Sequence, residues 1–350
     1  MADDVPLPKQ KATTRRDVAR HAGVSVAVVS YTLNGKAPVA PATAERVRRA
    51  IRELGYIPNR AAVALKSGST KALALVAPKA SDPVFTNPFF AEFANEVESA
   101  AQRRGYALYT TSAAQDGADG VVERIQEFAA RQVDGVLLLP GATPVQPAVL
   151  DQLGIPWLEL NTIHPQAGVG SVGVDLFSGA REATAHLIEH GYPTVAFVGE
   201  LPPEEPRRLG WAQACREAGL RADHVLQYPM THRGGYQAGL ELARQGRPRA
   251  IFVASDRMAV GVLRALHENA VKVPDEIAFV SFDGSWEGAY AWPSISSIRQ
   301  PIELMAERSV ARLVAPPPHT PVHESFHGTL ILRDSCGPHP DSRPDPRTGP

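Results

Sequence analysis

From Lys71 onward the chain alternates between short continuous apolar runs and longer stretches in which apolar residues recur with helical spacing. Such apolar runs predict strands buried on both faces, and their alternation with helices is typical of doubly wound parallel sheets. We predict strands at 72–78, 106–112, 133–140, 155–160, 194–199, 250–255 and 277–283, and helices at 89–105, 120–132, 179–191, 208–219, 234–246 and 257–270. Because this is too much strand for one sheet, we predict two α/β subdomains, split near residue 170, with the chain crossing back near residue 298.

Residues 14–54 show a different pattern, which predicts helices only. The segment 14–23 opens with Thr14 and Asp17 in the spacing of a capping box and ends at Gly23. The segment 41–54 repeats apolar residues with helical spacing behind an initial proline.

The stretch VSVAVVSYTLNG, residues 24–35, admits two interpretations. Its alternating valines favour a half-buried strand, whereas a helix capped by Ser25 would place Val29 and Leu33 on one face. A strand would have no partner here, so we predict a helix from Val26 to Leu33. The three segments then form a helix-turn-helix with a third, supporting helix.

The charge is distributed unevenly along the chain. Residues 1–70 contain twelve lysines and arginines against five acidic residues, although the whole chain carries a formal charge of −1. A basic head on an acidic body predicts a polyanionic partner for the head alone.

The remaining composition narrows the class of protein. Two distant cysteines and the lack of a long apolar stretch predict a cytoplasmic protein with no disulfide and no membrane span. The helix-turn-helix pattern adds the expectation that the protein associates with the nucleoid when it is bound to DNA. Neither a GxGxxG motif after the first strand nor a GxxxxGK[ST] motif occurs, so we expect no nucleotide cofactor.

The chain resembles the lactose/galactose-repressor (LacI/GalR) family of bacterial transcription regulators. The head segments RRDVARHAGVSVAVVSYTLNG and RELGYIPN carry the resemblance, which continues through NPFF, VDGVLLLP, SVGVD, RLGW, SDRMAVG, SFDG and SSIRQP. It implies a helix-turn-helix head (14–58), a hinge helix and linker (59–70) and a periplasmic-binding-protein-like body for effector binding and dimerisation (71–338). Residues 1–13 and 339–350 are predicted to be a disordered arm and tail.

The resemblance also implies the DNA contacts of a dimer on a palindromic double-stranded operator. Val26, Ala27 and Tyr31 match the base-reading positions, where the family commonly has Arg in place of Tyr31 and Thr in place of the neighbouring Val28. Ala40 replaces the usual serine cap of the third helix, at a cost of about 1 kcal/mol. The other predicted DNA contacts are Thr14, Ser25, Ser30 and Asn34 in the head, and Asn59, Ala62 and Leu65 in a hinge that levers Leu65 into the minor groove.

For the body, the resemblance implies a cleft that binds a small, sugar-like effector. The matching positions are Asn87, Phe89, Asn161, Arg207, Met230, Ser255 and Asp283. An arginine and a carboxylate suit a polyhydroxylated ligand, and Phe89 could equally belong to the core. Three departures affect the choice of ligand, namely Ser255 in place of Asn, Gly284 in place of a second acid and Met230 in place of an aromatic residue.

The alternative functions have less support. A solute-binding protein shares the body fold but would need a signal peptide, and an α/β enzyme with an accessory head lacks nucleophile and cofactor motifs. Asp256 and Asp283 could be an acid/base pair, and His319, His323 and His327, or His186 and His190, could be read as metal ligands. We expect no catalytic residues and no metal. We expect a dimer, because no leucine heptad follows the body and the family's tetramers usually need one.

Overall fold

The computed structural model describes residues 13–34, 37–57, 68–77, 86–113, 117–139, 145–162, 168–200, 202–244, 248–315 and 321–337. The chain divides into two compact units, residues 1–70 and 71–350. The predicted hinge positions Asn59, Ala62 and Leu65, the arm and the tail after residue 337 lie outside the described residues.

The first unit is built from three helices, α1 (Arg15–Ala22), α2 (Val26–Asn34) and α3 (Pro41–Glu53). The stretch with alternating valines is therefore a helix, as the helix-turn-helix interpretation predicted. It forms because Val29, which is fully buried, packs with Val18 and Val47 of the other two helices. Burial of these side chains outweighs the weak strand preference of an isolated valine-rich segment.

The second unit contains two sheets whose strands are parallel with one exception. The first sheet has the order β11-β5-β4-β3-β1-β2 and the second the order β12-β10-β9-β8-β6-β7, with β12 antiparallel to β10. The first sheet comprises β1 (Ala72–Ala77), β2 (Ala107–Ser112), β3 (Gly135–Leu138), β4 (Trp157–Leu160), β5 (Ser171–Val174) and β11 (His323–Phe326). The second comprises β6 (Val195–Val198), β7 (Val225–Leu226), β8 (Ala250–Val253), β9 (Ala278–Asp283), β10 (Ser296–Arg299) and β12 (Thr329–Ile331).

Helices cover both faces of each sheet, which is the predicted doubly wound arrangement. Beside the first sheet lie α4 (Pro88–Arg103), α5 (Gly117–Ala130), α6 (Pro147–Asp151) and α12 (Ile302–Leu313). Beside the second lie α7 (Leu176–Glu189), α8 (Pro206–Glu217), α9 (His232–Leu242), α10 (Asp256–Glu268) and the short α11 (Trp286–Tyr290). A 3-10 turn, Asp334–Cys336, follows β12.

The chain passes between the two sheets at three points. It leaves the first sheet after Val174, returns after Arg299 and leaves again after Phe326. The first crossing lies a few residues beyond the predicted split near residue 170, because SVGV, residues 171–174, is itself a fully buried strand that pairs with β4 and β11. The return lies one residue after the predicted position at 298.

Candidate DNA-reading face and effector site

The head presents a short row of uncharged side chains on one face of α2. Val26 and Tyr31 are 41% and 43% exposed, and Ala27 is also exposed, while Val29 is fully buried. The recognition positions named from the resemblance therefore lie on the accessible side of a helix whose other side is fixed by the core. Ser30 is half-buried, and the side chain of Asn34 lies outside what the structure describes.

Two side chains predicted to touch DNA also hold the helix ends. The Ser25 hydroxyl accepts the Val28 amide at 3.3 Å, which caps α2. The Thr14 hydroxyl accepts the Asp17 amide, and an Asp17 oxygen accepts the Thr14 amide, which is the predicted capping box. Ala40 precedes α3 without a side-chain cap, as expected for alanine.

Ion pairs within the head neutralise part of its positive charge. Glu45 pairs with Arg48 and Arg52, and Glu53 with His21 and Arg49. The carboxylate of Glu45 is exposed, and its hydrogen bond to Arg52 lowers its pKa. These pairs lie on α1 and α3, and the exposed side chains of α2 named above are uncharged.

In the body, the predicted effector residues follow the carboxyl ends of strands in both sheets. Asn161 follows β4, and Asp283 is the last residue of β9, while Ser255 follows β8. Ligands of open α/β sheets bind beyond this edge of the strands. Asn161 and Asp283 both have a positive backbone φ, 50° and 111°, which is unfavourable for residues other than glycine and often marks functional positions.

A chain of hydrogen bonds joins these two residues across the subdomains. The Asn161 side-chain amide donates to Gln300 Oε1 at 3.2 Å, and the Gln300 amide donates to Asp283 Oδ1 at 3.0 Å. Asn161 Oδ1 accepts the Val174 amide, which fixes the orientation of its side chain. Gln300 is 3% exposed and lies just after β10, where the chain returns to the first subdomain. Gln300 belongs to the motif SSIRQP, for which the resemblance implied no effector contact.

Arg207 lies at the same end of the second sheet but is already paired. Its Nε donates to Glu205 Oε1 at 2.8 Å and its Nη1 to the Ala254 carbonyl at 2.9 Å. Glu205, at 1% exposed, also accepts two backbone amides at the start of α8. Glu205 was not predicted, and no motif signals a buried acid two residues before the arginine.

Asp256 and Asp283 are adjacent buried carboxyl groups. Asp256 accepts hydrogen bonds from the hydroxyls of Ser281, Ser297 and Ser285, and from the Ser285 amide. Burial raises the pKa of Asp256, and burial together with the charge of Asp256 raises that of Asp283. Their surroundings, rich in hydroxyl and amide donors, suit polar recognition.

The remaining effector candidates have structural contacts of their own. Asn87 Oδ1 caps α4 by accepting the Phe89 amide, and Ser255 caps α10 by accepting the Met258 amide. Phe89 is 3% exposed and packs on Phe90 and Phe93. The half-buried Met230 packs on the hydrophobic cores of both faces of the second sheet. Their roles towards a ligand stay predictions.

The presence of glycine at position 284, where the family often has a second acid, has a steric reason. Its φ is 68°, and a Cβ there would lie 2.3 Å from the Arg299 Cα. A second acidic side chain therefore does not fit beside Asp283 in this backbone arrangement.

The histidines do not assemble a metal centre in the described residues. His323 lies in β11 and hydrogen-bonds Ser171 Oγ at 2.6 Å, His327 follows that strand, and His319 lies outside the described residues. His186 and His190 contact each other through Nε2 atoms 3.2 Å apart on α7. Within the ranges that the structure describes, no three histidine, cysteine or acidic side chains are grouped as metal ligands, and no helix is long and apolar enough to span a membrane.

Comparison with protein-family models gives two matches along the chain. Residues 14–59 match the model described as bacterial regulatory proteins, lacI family. Residues 184–336 match the model for a periplasmic-binding-protein-like domain.

Full-length relatives match most of the chain. The transcriptional regulator CelR of Thermobifida fusca is 36% identical over 321 residues, covering 88% of this chain and 92% of CelR. Catabolite control protein A of Priestia megaterium is 30% identical, covering 82% of this chain and 87% of that protein. The transcriptional repressor PurR of Pectobacterium carotovorum is 30% identical, covering 94% and 99%.

Two solved structures have the same fold. A complex of the regulator CelR with cellobiose superposes with a TM-score of 0.67 at 33% identity, covering 92% of this chain and 99% of that one. The lac repressor dimer, bound to operator and an anti-inducer, superposes with a TM-score of 0.78 at 22% identity, covering 94% and 100%.

Proposed function

Since this chain belongs to the lacI family of bacterial regulatory proteins and is therefore a transcriptional regulator rather than an enzyme, we propose that it is a cytoplasmic repressor controlled by a sugar. It binds a palindromic operator as a dimer and takes its effector between the two α/β subdomains. The observation that carries the effector site is the hydrogen-bond chain Asn161–Gln300–Asp283, which links the strand ends of both sheets.

Operator reading is supported by the exposed face of α2. Val26 and Ala27 offer apolar contact, such as to a thymine methyl group, and Tyr31 adds one hydroxyl and a ring. Phosphate contacts supply most of the affinity and make it depend on salt, which fits the basic charge of residues 1–70. The hinge residues Asn59, Ala62 and Leu65 are proposed to contact the operator centre.

The operator can be identified by selecting genomic fragments that the purified protein binds. We expect a palindrome of about 14–20 bp spanning two half-sites, with affinity that falls steeply between low and moderate salt. Tyr31→Arg should change the preferred base at one symmetric position, because arginine can bond guanine with two hydrogen bonds. Binding that is insensitive to salt, or an unchanged base preference in the variant, would contradict this assignment.

The effector proposal draws on the relative solved with a disaccharide. CelR was solved with cellobiose, and the charged and amide groups at the strand ends of this chain suit sugar hydroxyls. Cellobiose is therefore the first effector to test, by calorimetric titration and by its effect on operator binding.

A second copy of this chain is proposed to cover an exposed aromatic face of the second subdomain. Tyr290 and Trp292, in and just after α11, are 67% and 87% exposed. Beside α9 and α10 lies an open cavity of about 460 Å³ lined by His232, Arg233, Tyr236, Val260, Gly261 and Arg264. Exposed aromatic groups of this size on a regulator with two half-sites fit a dimer contact.

Trp292→Asp tests this contact. We expect the variant to sediment as a monomer at concentrations where the wild type is a dimer, because the substitution places a charge in an apolar contact. Val322→Asp, at another exposed apolar position of the body, should leave the dimer intact. A dimeric Trp292→Asp protein would place the interface elsewhere.

A further inference from the structure

Two buried carboxyl groups lie near each other at the Asp283 end of the proposed effector site. Asp283 ends β9, and Asp256 begins α10. The backbone N–H of Asp256 donates to the Asp283 carboxyl, and the two side chains are 1% and 6% exposed. Two negative charges this close in a buried place are unfavourable, so the pair favours holding a proton.

Burial raises the pKa of both carboxyl groups, and the number of hydrogen-bond donors to each indicates which one ionises more easily. Asp256 accepts three serine hydroxyls and one backbone amide, from Ser281, Ser285 and Ser297, which is a full set of donors for a carboxylate. Asp283 receives only the Gln300 amide and the Asp256 N–H. The donors therefore favour the anion at Asp256 and leave the proton on Asp283.

The nearby charged side chains lead to the same assignment. Arg207 faces Asp283, but its guanidinium forms its ion pair with Glu205. Arg333 faces Asp256 through space while its Nη1 donates to the Ile295 carbonyl. Among the described residues, Arg207 is ion-paired with Glu205 and acts on Asp283 only through space, so Asp283 forms no ion pair of its own.

We propose that Asp256 and Asp283 share one proton in the effector-free protein, carried by Asp283, and that sugar binding expels it. On binding, the O–H bond of Asp283 breaks, the proton passes to solvent, and hydroxyl groups of the sugar donate to the resulting carboxylate. Asp256 is thus a positioning residue that acts through Asp283. This inference rests on the proposed effector function, and it specifies how that site recognises a polyol.

The sign of the pH dependence follows from this exchange. Burial and the charge of Asp256 raise the pKa of Asp283 to about 8. Below that pH the site must lose a proton to bind, so sugar affinity rises with pH and levels off above it. At pH 7 the proton weakens binding about tenfold relative to an ionised Asp283.

Calorimetric titration of the full-length protein with cellobiose in phosphate and in Tris at pH 7 measures the protons exchanged. We expect the wild type to release nearly one proton per site. Asp256→Asn removes the charge that, after burial, raises the pKa of Asp283, so this variant should release fewer protons than the wild type and bind cellobiose several-fold more tightly at pH 7. The exposed acid Asp223, replaced by asparagine, is the matched control and should behave as the wild type. Cellobiose binding without proton release, or equal release in Asp256→Asn, would overturn the proposal.

A second measurement needs no effector, so it separates this inference from the choice of sugar. A carboxyl whose pKa is raised on folding stabilises the protein below its unfolded pKa and loses that contribution as pH rises through the folded pKa. Asp283→Asn does not titrate, so its melting temperature should exceed that of the wild type by a margin that grows by several degrees from pH 5 to pH 8. If the difference in melting temperature does not change with pH, the shared proton is overturned even if cellobiose binds. If the difference grows with pH, the shared proton is supported even if cellobiose does not bind.

Discussion

Replacing Asp283 with alanine is expected to weaken cellobiose binding about a hundredfold while leaving operator affinity unchanged in the absence of sugar. The carboxylate is the ionisable group at the end of the Asn161–Gln300–Asp283 chain, and no other described acid contacts Gln300. Its loss removes charge-assisted hydrogen bonds to the sugar and also leaves the Gln300 amide without its acceptor. Operator affinity is retained because the substitution leaves the head untouched.

Two titrations distinguish this outcome from general damage to the body. Calorimetry gives the cellobiose affinity, and fluorescence anisotropy with labelled operator gives the DNA affinity with and without sugar. Asp223→Ala, which removes an exposed acid paired with Arg221, is the matched control and should keep wild-type affinity for both ligands. Wild-type cellobiose affinity in Asp283→Ala would remove the effector site from the end of β9.

Replacing Val29 with aspartate is expected to unfold the head and abolish operator binding. Val29 is fully buried among Val18, Val47 and Tyr56, and a charge placed there without a partner costs several kcal/mol. A unit of this size has only about 5 kcal/mol of stability to lose. The body folds around its own cores, so cellobiose binding should persist.

The same helix supplies the matched control for this prediction. Val26 is 41% exposed in the first turn of α2, so Val26→Asp should leave the head folded while changing its interaction with DNA. Amide spectra or limited proteolysis report folding of the head, and anisotropy reports operator binding. A folded head in Val29→Asp would contradict the assignment of this residue as the anchor of α2.

Periodicity predicted the strands and helices that have strong apolar patterns, because burial on both faces of a sheet leaves an unbroken apolar run. It missed α12, whose residues IELMAERSVARL mix buried Met305 and Val310 with charged positions, and the short strands β5, β7 and β12. Short strands carry too few residues to form a pattern, and their pairing depends on neighbours that are distant in sequence.

For the site, the resemblance supplied Asn161 and Asp283, but the residue that joins them came only from the structure. Gln300 lies 139 residues from Asn161 in sequence and 17 from Asp283, so no local spacing signals the contact. Glu205 was missed for a related reason, since one of two adjacent acids in a proline-rich loop looks like a solvated residue. Buried ion pairs depend on three-dimensional surroundings that composition does not reveal.

The three passages of the chain between the sheets restrict how the two subdomains can move. Two bodies joined by one strand can swing, twist and slide, whereas three side-by-side connections leave mainly rotation about an axis through the connections. Gln300 lies on one of these connections, immediately after β10. A ligand that draws Asn161 and Asp283 together would therefore rotate one subdomain relative to the other. Because these residues lie close to the rotation axis, a small displacement there would produce a large movement at the far ends of the subdomains.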